Sequence, residues 1–192
     1  MAIQPPDYDT CSEGKHPNIN KDTPMIAELK ELTLSDGPDI FEMLREIGPG
    51  ENGFVNSGHD IEYADFPAYL KRQDDFAKGV GIDLTIYVPQ TMHWLFVDGR
   101  PVGVGKLRHY LNDNLRKLGG HIGYAIRPSE RGKGYGTLIL REMLIKAREK
   151  GIEEALVTCS ENNIRSRKVI ERNGGKLEDI IDGGCRYWIR NF

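Results

Sequence analysis

The sequence predicts an α/β fold, a central mixed β-sheet flanked by helices on both faces. Two observations carry that expectation. Short strand-like segments and helix-period segments follow one another in the order strand, two helices, three strands, helix, strand, helix, two strands. The strongest apolar stripe, Leu140, Met143, Leu144 and Ala147 at i, i+3, i+4 and i+7, also follows a glycine-rich run that itself follows a strand. At 192 residues with 39% hydrophobic content, the chain supports one continuous core and not two. The expected organisation is a tail over residues 1–24 and a single domain over 25–192.

The tail reading rests on a run of Pro, Asp, Asn and Lys without periodicity. From Met25 to Thr33, Ile26, Leu29 and Leu32 alternate loosely, as a first strand does. Ser35-Asp36-Gly37-Pro38 turns the chain, and Ile40, Phe41, Met43, Leu44 and Ile47 then keep helical spacing until Gly48-Pro49-Gly50. A second helix is expected over 66–78, with Asp65 as its cap. Thr91 to Val97 and Val102 to His109 read as a hairpin turning at Asp98-Gly99-Arg100-Pro101.

Leu111 to Leu118 reads as a polar connection. His121 to Ile126 is a central strand, which Pro128 terminates because it cannot donate to a ladder. The helix carrying the apolar stripe has Lys146, Arg148 and Lys150 in its last turn, where positive charge suits the macrodipole, and Gly151 to end it. Ala155 to Cys159 is a short buried strand, Ser160 or Asn162 is the expected cap of a helix reaching about Arg172, and Asn173-Gly174-Gly175 closes that helix. Lys176 to Ile181 and Cys185 to Arg190 form the last two strands, around Asp182-Gly183-Gly184.

Composition excludes several classes of function. The mean hydropathy of -0.50 and the lack of a long uncharged apolar run argue against a membrane protein, and Asp7, Asp9 and Glu13 occupy the place of a signal peptide's apolar stretch. A cytoplasmic location is therefore expected. Cys11, Cys159 and Cys185 are too few and too widely spaced for a disulfide framework, and the five histidines lack metal-ligand spacing, so no metal is expected. No basic face interleaved with aromatics speaks for nucleic acid. Residues 1–126 carry 12 Lys and Arg against 19 Asp and Glu, whereas residues 127–172 carry 11 against 7. That asymmetry suits an anionic ligand at the basic part and a cationic one near Glu62, Asp65, Asp74 and Asp75, and it equally suits an ordinary solvated surface.

The run Arg131-Gly132-Lys133-Gly134-Tyr135-Gly136-Thr137 carries chemistry. Phosphate groups are best held by backbone N–H groups converging at a helix start, with the positive end of the helix dipole behind them. Alternate glycines let the backbone come close, while Arg131 and Lys133 add positive charge. The spacing does not match a P-loop, which needs Gly-x-x-x-x-Gly-Lys-Ser/Thr, nor the dinucleotide fingerprint Gly-x-Gly-x-x-Gly.

These residues resemble the GNAT superfamily of N-acetyltransferases. Arg131-Gly132-Lys133-Gly134-Tyr135-Gly136 is similar to its Arg/Gln-x-x-Gly-x-Gly/Ala signature, and Ile122-Gly123-Tyr124-Ala125-Ile126-Arg127-Pro128 looks like its fourth strand. Asn163-Ile164-Arg165-Ser166 with Asn173-Gly174-Gly175 resembles its Asn-x-x-Ala/Ser helix and closing glycine. Specific motifs span Gly120 to Gly175, and the element order extends the likeness from Met25 to the C-terminus. The resemblance implies that the fourth and fifth strands splay around the pantetheine arm of acetyl-CoA. Ala125, Ile126 and Arg127 would line the arm, the amides of Arg131 to Thr137 would hold the pyrophosphate, and Asn163, with Ser166 in the same motif, would contact the arm from the other side.

The resemblance further aligns His121 with the glutamate base that many relatives carry, either as a base or as a residue at a strand mouth. The tyrosine acid of many relatives falls on Ile170, so Tyr124, Tyr187, Cys159 or a water are the alternatives. Tyr124 and Tyr187 also read as sheet or core residues, and Cys159 as a small packed residue. The function implied is direct acetyl transfer from acetyl-CoA to a primary amine of a small molecule or peptide, by a monomer or homodimer. A non-catalytic acyl-CoA-binding sensor is the alternative that the missing tyrosine favours.

Overall fold

The expected strands and helices are present between residues 25 and 190, the residues that the computed structural model describes. The segment 1–24, with Cys11, lies outside them. Strand β1 (Ala27–Glu31) leads to helix α1 (Pro38–Ile47), whose proline opens the first turn and whose Ile40, Phe41, Met43, Leu44 and Ile47 are all buried. Gly48, at φ 70°, ends it. Helix α2 (Phe66–Ala77) follows a single 3-10 turn, Tyr63–Asp65. That turn already holds Asp65 in helical backbone, so the side chain expected to cap α2 makes no capping hydrogen bond.

Strands β2 (Gln90–Val97) and β3 (Arg100–Arg108) form the expected hairpin with a tighter connection. Asp98 and Gly99 both hold positive φ, 49° and 78°, the pairing that a two-residue hairpin turn demands. Pro101 therefore sits within β3, beside a register shift at Leu95/Phe96 that accommodates its missing N–H. The polar connection contains a short helix, α3 (Asp113–Lys117), capped by the Asn112 side chain accepting from Leu115 N at 3.0 Å. Five residues are too few to show a period.

Strand β4 (Ile122–Ile126), helix α4 (Tyr135–Glu149), strand β5 (Glu154–Ser160), helix α5 (Ile164–Arg172) and strands β6 (Lys176–Ile181) and β7 (Gly184–Arg190) complete the chain. The cap of α5 is Asn163, one residue beyond the nearer expected candidate, with its Oδ1 accepting from Ser166 N at 3.1 Å.

The strands form two antiparallel sheets in the orders β1-β2-β3-β4 and β5-β7-β6. Among the described residues, one backbone hydrogen bond joins them, at the start of β4. His121 N donates to Leu156 O at 2.7 Å, and Leu156 N donates back to His121 Nδ1 at 2.9 Å. Gly120 makes the approach possible, because a Cβ there would lie 2.3 Å from Leu156 O.

The first sheet has a core on each face. Helices α1 and α2 pack Met43, Leu44, Phe66, Tyr69 and Leu70 against Trp94 and Val104. Helix α4 packs Ile139, Leu140 and Met143 with Leu95, Leu107, Ile122 and the β5 residues Ala155 and Val157. Gly105 lets α4 lie close on β3, since a Cβ there would meet Met143 Sδ at 2.4 Å, and Gly103 makes room for the β4 side chain Ile126, whose Cδ1 a Cβ would meet at 2.6 Å. The glycine loop is thus delivered to the end of β4.

Candidate active site

Beyond the His121–Leu156 junction the two sheets separate, and the gap is a groove of about 790 Å³. Ile122 to Ile126 line one side and Thr158 to Ser160 the other; the glycine loop closes one end, and residues 51–55 border it. Along this stretch β4 pairs with β3 on one edge only, so its other edge presents backbone groups to the groove.

The loop's geometry follows from its glycines. Gly132 and Gly134 hold φ of 83° and 86°, a region costly for residues with a Cβ, and a Cβ at either would meet no protein atom within 4 Å. The protein's own packing therefore does not require them to be small. Open space before a backbone turned toward it fits a phosphate at a helix start. Gly136 differs: a Cβ there would stand 3.3 Å from Val169 Cγ2, so it serves the contact between α4 and α5.

The amides of the loop's two ends are already bonded, Arg131 N to Pro128 O and Thr137 N to Gly134 O. Those of Tyr135 and Gly136, in the first turn of α4, lack intrahelical acceptors. Arg131 bridges β4 and the 51–55 segment: its Nε donates to Ile126 O at 3.1 Å and its guanidinium pairs with Glu51 at 3.0 Å. Lys133 pairs with the buried Glu130, which also holds Arg100.

Ala125, Ile126, Asn163 and Ser166 line the groove, as expected for residues beside an arm-shaped ligand. Asn163 spends its Oδ1 on the α5 cap, and its side-chain Nδ2 makes no hydrogen bond within the described residues. Arg127 does not line the groove. Its side chain turns toward α1, where its guanidinium pairs with Glu46 and donates to Pro101 O at 3.2 Å, and its own N–H is taken by Val102 O. Burial raises the Glu46 pKa, but hydrogen bonds from Ser129 and Arg127 outweigh it and hold the carboxyl at about 2. Arg127 is a brace for the turn after β4.

His121 is also absent from the groove walls and nearly fully buried. With Nδ1 accepting from Leu156 N, the neutral ring carries its proton on Nε2 and keeps no lone pair for a second proton acceptor role. Burial, with the charges of Arg116 and Arg108, pushes its pKa down to about 4. Its observed work is to clasp β4 to β5.

Tyr124 crosses the gap, its hydroxyl 3.1 Å from Ser166 Oγ on α5. Burial raises the phenol to about 12, and burial raises the neighbouring Cys159 thiol to about 11. The phenol and the thiol both stay protonated at neutral pH. Tyr187 is engaged elsewhere, accepting from Arg167 and donating to Glu171, and Ile170 is fully buried in the core.

Two sets of basic groove residues were not picked out as site residues from sequence, nor was the 51–55 segment, which has no periodic signal. Arg165, Lys168 and Arg172 line it from α5; their i, i+3, i+7 spacing is a readable basic stripe. Lys106 and Arg108 line it from β3, where two cations at alternate positions interrupt an apolar strand. The four acidic residues proposed to attract a cation do not line it: Asp74 and Asp75 pair with Lys78 and Lys71 along α2. Among the described residues there is no group of three or more potential metal ligands, and no helix is long and apolar enough to cross a membrane.

A split between two sheets, ended by a glycine loop at a helix start, defines an acyltransferase-type fold, and comparison with known proteins identifies the family. The model of the acetyltransferase (GNAT) domain matches residues 28–176, so the chain belongs to the GNAT acetyltransferases. Among solved structures it is similar to the Campylobacter jejuni N-acetyltransferase PseH in complex with acetyl coenzyme A, at 14% identity and TM-score 0.56 over 87% of this chain and 100% of that one. It is similar to the Vibrio fischeri ribosomal-protein-S5-alanine acetyltransferase at 14% identity and TM-score 0.61, covering 86% and 93%. The Salmonella typhimurium acetyltransferase that modifies the N-terminal serine of ribosomal protein L7/L12 gives 16% and 0.58, covering 85% and 94%. No curated protein matches by sequence. At these identities the structures share the fold, and the family match makes the protein an acetyltransferase.

Proposed function

We propose that the protein transfers an acetyl group from acetyl-CoA directly to a primary amine of a small molecule or peptide. The groove that opens between β4 and β5 and ends at Gly132 and Gly134 carries this reading. The amides of residues 132–136 would hold the pyrophosphate, with Lys168 and Arg172 adding positive charge. The free edge of β4 at Tyr124, Ala125 and Ile126 would hold the arm, with Asn163 opposite. Solved relatives in complex with acetyl-CoA support the choice of donor.

Acetyl-CoA supplies an activated thioester. The chain's residues align it beside the acceptor amine and stabilise the thiolate that leaves. Tyr124 is the hydroxyl that bridges the groove, and its pKa decides how it acts. Full proton transfer from a phenol at about 12 to a thiolate whose acid has pKa ~8.5 is uphill by roughly a thousandfold. Tyr124 therefore works as a hydrogen-bond donor and keeps its proton. The amine must arrive neutral, and as its nitrogen bonds the carbonyl carbon and the C–S bond breaks, the proton it sheds passes through solvent to the departing thiolate, because His121 is committed to the clasp.

Thiol release measured with a panel of amino acids, amino sugars, polyamines and peptides tests the reading. Turnover with at least one amine is expected; rates no higher than background hydrolysis throughout would overturn it. The second reading, an acyl-CoA sensor without turnover, rests on Ile170. Calorimetric binding of acetyl-CoA with no amine turned over would select it.

A further inference from the structure

Lys106 and Arg108 occupy alternate positions on β3 and so share one face, the face opposite α4. Lys106 is opposite Gly123 of β4, whose missing side chain leaves room. A Cβ on Gly123 would lie 3.6 Å from the Phe54 ring and 4.0 Å from Arg108 Nη1, so Phe54, Gly123 and the two cations enclose one small region of the groove. Lys106 Nζ donates to Val55 O at 2.6 Å and stands 4.9 Å from the Phe54 ring centroid. Arg108 Nη1 donates to Gly119 O at 2.9 Å and to Gly120 O at 3.1 Å.

Those are all the hydrogen bonds and ring contacts these two side chains make among the described residues, and neither pairs with a carboxylate. An ammonium has three donors and a guanidinium five, so donors remain on both. Two half-buried like charges without a counterion are costly, and burial with the Arg108 charge pushes Lys106 down to about 8. The other basic groups that line the groove are placed differently: Arg131 has a carboxylate in Glu51, and Arg165, Lys168 and Arg172, which pair with none among the described residues, are exposed to solvent on α5. The pair also lies at the start of β4, at the opposite end from the glycine loop that follows Ile126, and so away from the donor's phosphates.

We propose that Lys106 and Arg108 form an anion subsite for the acceptor, so that the amine acetylated by this enzyme carries an acidic group, a carboxylate or a phosphate. The proposal deepens the acetyltransferase reading above and rests on it. The 51–55 segment forms the opposite wall of this subsite, with the Phe54 ring to receive the acceptor's apolar part.

Three matched acceptor pairs separate the sources of the anion: ethanolamine and O-phosphoethanolamine, serine amide and serine, and the amides of the dipeptides Ser-Asn and Ser-Asp. In at least one pair the acidic member should exceed its neutral match in kcat/KM by about tenfold to hundredfold, the range of a charge-assisted hydrogen-bonded contact. Lys106→Met and Arg108→Gln should each move that ratio toward one. Because the ratio is taken within one variant, a partly destabilised Arg108→Gln protein still reports. Equal rates within all three pairs, or ratios unchanged in both variants, overturn the proposal while leaving acetyl transfer intact. If no acceptor is turned over at all, calorimetry of the protein saturated with CoA against O-phosphoserine decides: uptake lost in Lys106→Met upholds the subsite without the acetyltransferase reading, and no uptake by the unsubstituted protein overturns both.

Discussion

Gly134 and Gly132 do different work from Gly136, although sequence presents them as one motif. The first two hold left-handed backbone beside open space, and the third makes room between helices. Gly134→Val should therefore weaken acetyl-CoA binding at least tenfold, beyond a backbone cost of about 1–2 kcal/mol in stability. Unchanged affinity in calorimetry would contradict the loop's assignment. Tyr124→Phe removes a donor that spans the groove, and kcat should fall about tenfold or more with little change in the KM for acetyl-CoA. His121→Ala strands the Leu156 amide, a cost of about 1–3 kcal/mol seen as a lower unfolding midpoint. The pH profile of kcat/KM should keep its shape. A profile that flattens would restore His121 as the base.

At the scale of elements, the turn after β4 is held to α1 by one carboxylate. Glu46 accepts from Ser129 N at 2.8 Å and pairs with Arg127, which ties residues 127–129 to a helix some 80 positions earlier. Arg127→Met leaves that carboxylate partly buried without its cation, and a loss of about 3 kcal/mol is expected in denaturant unfolding. The double variant with Glu46→Gln should lose less than the sum of the two single changes. The boundaries that differ from the sequence expectation have local causes. The Asp98-Gly99 turn is tighter because both residues adopt positive φ, the α5 cap moved to the residue whose side chain reaches Ser166 N, and α3 was too short to show a period.

For the molecule as a whole, buried histidines set the response to acid. His93 is buried in β2, and among the described residues its Nδ1 has no hydrogen-bond partner. Burial, with the charges of Lys146 on α4 and Lys150 at its C-cap, pushes it from 6.5 to about 4, and burial does the same for His121. Between those values the unfolded chain binds more protons than the folded one, so stability rises with pH there. On lowering the pH below 6.5, stability should fall with a slope of up to about 2.7 kcal/mol per pH unit from these two groups, levelling near pH 4. Glu46, lowered from 4.5 to about 2, then takes over, and its contribution is lost as pH falls through that lower window. His93→Gln should flatten the first slope by about half in urea titrations across pH; an unchanged slope would place the acid sensitivity elsewhere.

The order of elements, the glycine loop and the family were legible in the sequence, because periodicity, turn residues and the run from Arg131 to Thr137 are local signals. Side-chain direction was not. Arg127 follows Ile126 in the motif strand, yet only tertiary packing turned it to Glu46 and away from the groove. His121 became a clasp because β5, 35 residues later, brings Leu156 to its ring. The groove itself exists because two sheets that meet where His121 bonds Leu156 then separate, and it gathers Phe54, Lys106, Arg108, Lys168 and Arg172 from three segments. The spacing of residues along one chain encodes which elements form; which unpaired charges face one another across a gap is decided only when distant elements pack.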